Sequence, residues 1–170
     1  MVTRATNRLC TTELPTTVPR VNETSVDETT GLEQMICFQL HAASRAMTGI
    51  YRPALDAHGI TYPQYVALRV IWHRGSVTVR DLGHALNLDS GTLSPLLKRL
   101  ETQGLVTRER GTHDERTVTI RPTTKATDLQ RQLADLPERL ACAVDLTADE
   151  FTQLHHLLSR LRASATANTI

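Results

Sequence analysis

The chain has three cysteines, at positions 10, 37 and 142, and the middle one is placed for thiol chemistry. Leu32, Ile36, Leu40, Ala43 and Met47 recur at helical spacing. At 100° per residue Cys37 falls roughly 140° from Leu32, off that stripe and among Glu33, His41 and Ser44. His41 at i+4 and Arg45 at i+8 supply cations that favour a thiolate, the nucleophilic form of the residue. The competing reading is a small hydrophobe in the packing, the common role of a lone cysteine. A thiolate oxidised to sulfenic acid is captured by a nearby thiol as a disulfide. Cys142 and Cys10 are the candidates for that thiol, Cys10 the weaker because holding a long arm in place costs loop-closure entropy. Cys37 with His41 could begin a metal site, but no second pair follows at ligand spacing, so neither metal nor cofactor is expected.

A second group of residues suits nucleic acid. Between Ser90 and Gln103, Leu93, Leu96, Leu97 and Leu100 share one helical face, leaving Gly91, Ser94, Pro95, Lys98 and Thr102 outward, and Ser90 and Thr92 are taken with Ser94 as hydroxyls that could reach base edges. Such a face is small, polar and cationic, with Lys98 and Arg99 able to bond guanine or phosphate in a major groove. Any solvated helix looks broadly similar. The hairpin pattern that follows separates the two readings: Leu105–Arg108 is mirrored by Thr117–Ile120, and Arg108, Arg110 and Arg116 flank a tip that needs no cations in order to fold. A basic hairpin beside two short helices is a wing, and its tip suits the minor groove. Residues 69–125 hold ten Lys/Arg against six Asp/Glu in a chain of net charge +1.

These residues require a helical frame. Residues 1–28, Thr-rich and broken by Pro15 and Pro19, read as a disordered arm, and 29–165 as a single domain. A first helix opens at a Thr30/Glu33 capping box and ends near Gly49, followed by a short helical or irregular turn over Tyr51–His58 that ends at Gly59. Thr61, Pro63 and Gln64 start a second helix; Thr78/Asp81 and Asp89 or Ser90 start the pair of a helix-turn-helix, which Gly104 closes. Beyond Pro122 a helical run interrupted by Pro137 leads to a last helix boxed by Thr147/Glu150 and running through Leu161. The fold class is therefore mainly α, with a winged helix-turn-helix over about 61–122 and terminal helices over about 29–48 and 123–165 forming a homodimerisation layer.

Composition agrees with this frame. With 40% apolar but only 4% aromatic residues, the core must be Leu, Val, Ile and Ala. No apolar run approaches the roughly 20 residues of a membrane span and no secretory leader is visible, so a cytoplasmic protein without membrane contact is expected. Three scattered cysteines make no disulfide scaffold.

Leu88-Asp89-Ser90-Gly91-Thr92-Leu93, Leu96–Glu101, Gly104-Leu105-Val106 and Asp114-Glu115-Arg116 resemble the MarR family of winged-helix regulators, over about Leu32 to Leu161. The resemblance implies that Asp114 stiffens the wing and Arg116 enters the minor groove. Cys37-Phe38, Ser44–Thr48, Tyr51-Arg52-Pro53 and Thr61–Tyr65 resemble its organic hydroperoxide resistance branch (OhrR), and the place of Cys142 resembles the second cysteine of the two-cysteine type. What this implies is a repressor in which Cys37 reacts with organic hydroperoxide. Tyr51 and Tyr62 would donate hydrogen bonds to it across subunits, and a disulfide to Cys142 of the other subunit would release a palindromic DNA operator. His41 departs from members with tyrosine at that place, which leaves peroxide selectivity open. The alternatives are a MarR-type repressor released by a small phenolic ligand, and a thiol peroxidase. The chain lacks the alternating β-α pattern of a thioredoxin-like fold, so an enzyme is not expected.

Overall fold

The computed structural model describes residues 31–110 and 117–167, which divide into two compact units at the Pro137/Glu138 boundary. In the first unit a short 3₁₀ turn (Leu32–Gln34) precedes α1 (Ile36–Asp56), α2 (Tyr62–Arg74), β1 (Val77–Thr78), α3 (Val79–Leu86), α4 (Ser90–Thr102), β2 (Val106–Arg110), β3 (Val118–Pro122) and α5 (Thr124–Gln132). The strands form an antiparallel sheet in the order β1-β3-β2, with Val77 opposite Ile120 and Arg108 opposite Ile120 on its other edge. Helix α6 (Leu136–Ala143) begins at the end of the first unit, and α7 (Ala148–Ala167) lies in the second.

Local signals set most boundaries. At α2 the Thr61 N–H donates to Gln64 Oε1 at 2.8 Å; at α3 the Asp81 N–H donates to Thr78 Oγ1 at 3.1 Å; at α7 the Thr147 N–H donates to Glu150 Oε2 at 2.8 Å. Each satisfies donors that a helix start leaves without partners. In α4 the leucines at 93, 96, 97 and 100 are all buried, as their spacing predicts. At about 2 kcal/mol apiece they outweigh the roughly 1 kcal/mol that Gly91 and 3 kcal/mol that Pro95 cost a helix. They join Leu55, Ile60, Leu68, Ile71, Leu82 and Ile120 in one aliphatic core.

The structure departs from the sequence reading at four places. Helix α1 does not stop at Gly49 but continues through Pro53 to Asp56, because Tyr51, Ala54 and Leu55 pack on the core and offset the proline's missing N–H. It starts at Ile36 with Met35 as a cap lacking a side-chain bond, while Thr30 of the expected box lies outside the described residues. Pro137 opens α6 at its second position, where no helical donor is needed, so the break falls earlier, after Gln132. Strand β1 was not foreseen, and α7 runs six residues beyond Leu161.

Two apolar sets stay uncovered. In the first unit Met35, Ile36, Phe38 and Ile50 are exposed, Ile36 by 62%. In the second, α7 buries no residue, and Phe151, Leu154, Leu157, Leu158 and Leu161 stand exposed at helical spacing. No helix is long and apolar enough to cross a membrane among the described residues.

Candidate nucleic-acid interface and thiol site

The turn between α3 and α4 is tight. Asn87 adopts a left-handed conformation (φ 53°), and the Leu88 N–H donates back to the Gly83 carbonyl at 2.9 Å. A side chain at Gly83 would put its Cβ 3.0 Å from the Leu88 carbonyl oxygen, so glycine is the residue that fits this approach without a shift of the backbone. Asp89 then caps α4, accepting from the Thr92 N–H at 2.8 Å and the Thr92 hydroxyl at 3.2 Å. These bonds hold the Asp89 carboxyl below the usual carboxylate range. They also commit the Thr92 proton, leaving its oxygen only as an acceptor toward a base.

Ser90, Thr92, Ser94, Lys98 and Arg99 are all exposed, on the side of α4 away from the leucines. A cleft of about 1050 Å³ separates α3 and the first half of α4 from the base of the wing, with Arg80, His84, Ser90, Ser94 and Arg108 in its wall. Arg110 is exposed at the end of β2, whereas Asp114 and Arg116 lie outside the described residues. Arg108 differs from Arg110: it is half-buried and turned onto α4, with Nε 3.2 Å from Glu101 Oε2. On the far side of the wing Arg121 pairs with Glu109 at 2.9 Å. Glu101 and Glu109 were not singled out from the sequence, since neither pairing has a short-range signal.

Cys37 is a free, exposed thiol at the second residue of α1, where peptide N–H groups carry partial positive charge. His41 and Arg45 are exposed on the following turns. Tyr51 lies on the same helix fourteen residues on, about 21 Å along the axis at 1.5 Å per residue, beyond reach of Cys37 within one chain. Tyr51 and Tyr62 are half-buried and pack with ring centroids 5.0 Å apart and planes tilted by 54°. A third phenol, Tyr65, completes the group 5.7 Å from Tyr51 and leads on to Trp72 at 6.3 Å. It was missed, although its spacing i+3 from Tyr62 on a helix would have placed it. Tyr65 is 4% exposed with its hydroxyl buried on the Arg69 side, and Trp72 Nε1 is buried without a hydrogen-bond partner among the described residues. Burial, reinforced by the neighbouring phenols, raises Tyr51 above the ordinary tyrosine range. Burial raises Tyr65 as well, with Arg69 partly opposing it.

Cys142, exposed on α6, is disulfide-bonded, and because Cys37 is free the chain holds no Cys37–Cys142 bond in this state. Cys10 lies outside the described residues. No group of three His, Cys, Asp or Glu gathers as a metal site among the described residues.

Amide contacts join the start of α2 to the end of α4. Buried Gln64 donates to Gln103 Oε1 at 3.4 Å, and Gln103 Nε2 donates to the Gly59 carbonyl at 2.7 Å. Lys125 adds a bond to the Gln103 carbonyl at 2.8 Å.

Residues 49–133 match the family described as Transcriptional regulator SarA/Rot. The organic hydroperoxide resistance transcriptional regulator of Bacillus subtilis is 44% identical over 130 residues, 76% of this chain and 88% of that protein. Among solved structures, reduced AbfR of Staphylococcus epidermidis bound to DNA superposes with a TM-score of 0.70 at 29% identity, covering 80% of this chain and 93% of that one. A mutant MarR from E. coli complexed with operator DNA gives 0.67 at 26% identity, covering 77% and 96%.

Proposed function

Because the chain belongs to the winged-helix transcriptional regulators of the MarR type, we propose that it is a homodimeric repressor that leaves a palindromic operator when an organic hydroperoxide oxidises Cys37. The observation that carries this reading is the pairing of an exposed free thiol at one end of α1 with a cluster of half-buried phenols at the other. The roughly 21 Å between them on one helix means that Tyr51 and Tyr62 can serve Cys37 only from a second copy. The uncovered apolar residues of α1 and α7 supply surface for that copy to bury. The hydroperoxide resistance regulator among the relatives supports the effector class.

The Cys37 thiolate attacks the terminal peroxide oxygen, the O–O bond breaks, and the products are a sulfenic acid and an alcohol. Neutral phenols from Tyr51 and Tyr62 of the partner subunit donate hydrogen bonds to the thiolate and lose that match once the sulfur is oxidised. The sulfenic acid then condenses with the Cys142 thiol of the partner subunit, releasing water and forming a disulfide that displaces the terminal helices. This step starts from Cys142 as a thiol, after a thiol reductant has opened the disulfide it holds and has itself been oxidised to a disulfide.

On DNA, Ser90, Thr92, Ser94, Lys98 and Arg99 face the major groove, Arg110 follows the wing, and Arg116, stiffened by Asp114, reaches the minor groove. The two reading helices of a dimer would stand about 34 Å apart, one turn of duplex.

The test is fluorescence anisotropy on a duplex that the wild type selects from a randomised pool. Cys37→Ser binds and stays bound when cumene hydroperoxide is added. Cys142→Ser still responds but forms no covalent dimer on non-reducing electrophoresis. Release of Cys37→Ser by peroxide, as readily as wild type, would sink the mechanism. A cleft of about 430 Å³ beside Tyr62, with Arg45 and Arg52 in its wall, favours a second reading in which a small acidic phenol releases the protein. In that case salicylate would release Cys37→Ser and wild type alike.

A further inference from the structure

Arg108 stands among the cations expected on DNA, yet its guanidinium faces the protein. Its side chain is 29% exposed; its buried Nε lies 3.2 Å from Glu101 Oε2 as an ion pair, out of line for a hydrogen bond, and its Nη2 donates to the Ser94 carbonyl at 3.3 Å. The geometry of a helix explains how one side chain from β2 meets both groups. Side chains lean toward the helix N-terminus, which carries the Glu101 carboxylate back along α4. Carbonyls point toward the C-terminus, which carries the Ser94 oxygen forward. The two converge on the turn that Arg108 covers.

That turn has a structural weakness. Pro95 has no N–H to give to the Gly91 carbonyl, so the two turns bearing Ser90, Thr92 and Ser94 are joined to the rest of α4 by fewer ladder bonds than an ordinary helix. The helix surface expected to read bases is therefore its least supported part, and Arg108 fastens that part to the strand leading into the wing.

We propose that Arg108 and Glu101 form a positioning strut that fixes the angle between the reading helix and the wing, and that neither touches DNA. The pairing rests on this head being the DNA-binding one. It inverts the usual charge logic: removing an acidic residue beside DNA ordinarily strengthens binding, because it lessens repulsion of phosphate. Here, removing Glu101 leaves the buried Arg108 Nε without its counter-charge and frees the helix to tilt. Lysine replaces Arg108 poorly in this role, since its one nitrogen must reach both acceptors that the guanidinium meets with two nitrogens held apart in a plane. On a phosphate, lysine would serve nearly as well.

The experiment measures affinity of the full chain for the duplex selected by wild type, across a salt series, for Glu101→Gln, Arg108→Lys and the double variant Glu101→Gln/Arg108→Gln. Circular dichroism checks that each is folded. Both single variants should bind about threefold to tenfold more weakly, on the scale of losing one partly exposed charged pair. Their salt slopes should run parallel to wild type, and the double variant should lose little more than either single change. The strut is overturned if Glu101→Gln binds as well as wild type or better. It is equally overturned if Arg108→Lys keeps full affinity, or if losses add in the double variant and its slope falls by about 0.9, the value of one phosphate contact. If wild type enriches no duplex at all, the DNA-binding reading falls together with the strut, whereas any other failure removes the strut alone.

Discussion

Replacing Gly83 by alanine tests how tightly the helix-turn-helix is built. A new Cβ there lies 3.0 Å from the Leu88 carbonyl oxygen and 3.5 Å from Leu93 Cδ2. Its nearest neighbour is backbone, held in place by the Leu88 N–H bond to the Gly83 carbonyl at 2.9 Å, so it cannot swing aside as a side chain would. Crowding of this kind costs about 1–3 kcal/mol. Alanine for glycine inside a helix returns about 1 kcal/mol through backbone entropy. Crowding wins, and the expected net loss is about 1 kcal/mol. With an m-value of about 2 kcal/mol/M this lowers the urea midpoint by about 0.5 M at unchanged m. Gly49→Ala is the internal control, because nothing lies within 4 Å of its added Cβ and only the entropy gain remains. The same substitution should thus destabilise at one site and stabilise at the other. If Gly83→Ala raises the midpoint as Gly49→Ala does, the close approach of Leu88 does not constrain the turn.

The phenols give a pH dependence. Burial first, then neighbouring phenols for Tyr51 and despite Arg69 for Tyr65, keep both protonated in the folded state above the ordinary value of 10.0, so their stabilising effect is intact at neutral pH and declines as pH rises past it. Tyrosinate absorbance should therefore titrate later in the native protein than in urea, and coincident curves would contradict this. Asp89 has the opposite sign: its depressed carboxyl supports the start of α4 above the usual carboxylate range and loses that role as pH falls below it. Asp89→Ala should speed hydrogen exchange at the Thr92 amide, whereas Asp89→Asn, which still accepts, should leave it nearly unchanged. Sedimentation should show a dimer at micromolar concentration and a monomer for Leu154→Glu/Leu158→Glu; a monomeric wild type would refute the homodimer.

What the sequence disclosed depended on range. The capping pairs Thr61/Gln64, Thr78/Asp81 and Thr147/Glu150 span three residues and are written locally, as is the leucine face of α4. Strand β1 is two residues long and exists because Val77 and Thr78 find Ile120 and Thr119, a pairing more than forty residues distant that no local pattern announces. Gly49 read as a stop signal, but packing at Tyr51, Ala54 and Leu55 overrode it. Arg108 was legible as a cation and not as a tether, because its partners Glu101 and Ser94 lie on another element. Periodicity set Cys37 off its helix's stripe, but stripe residues such as Ile36 are exposed as Cys37 is, and its chemistry came from resemblance.

The three tyrosines and the single tryptophan of the chain form one continuous chain of rings, 5.0, 5.7 and 6.3 Å from centre to centre. The molecule therefore carries an unlabelled optical probe at one location. Light absorbed by any phenol passes to Trp72, so the emission of the whole chain is governed by conditions at this cluster, while the wing and α7, which contain neither residue type, contribute nothing to it. A reaction that disturbs Tyr51 or Tyr62 can be followed in real time by intrinsic fluorescence, with DNA present, in the unmodified protein.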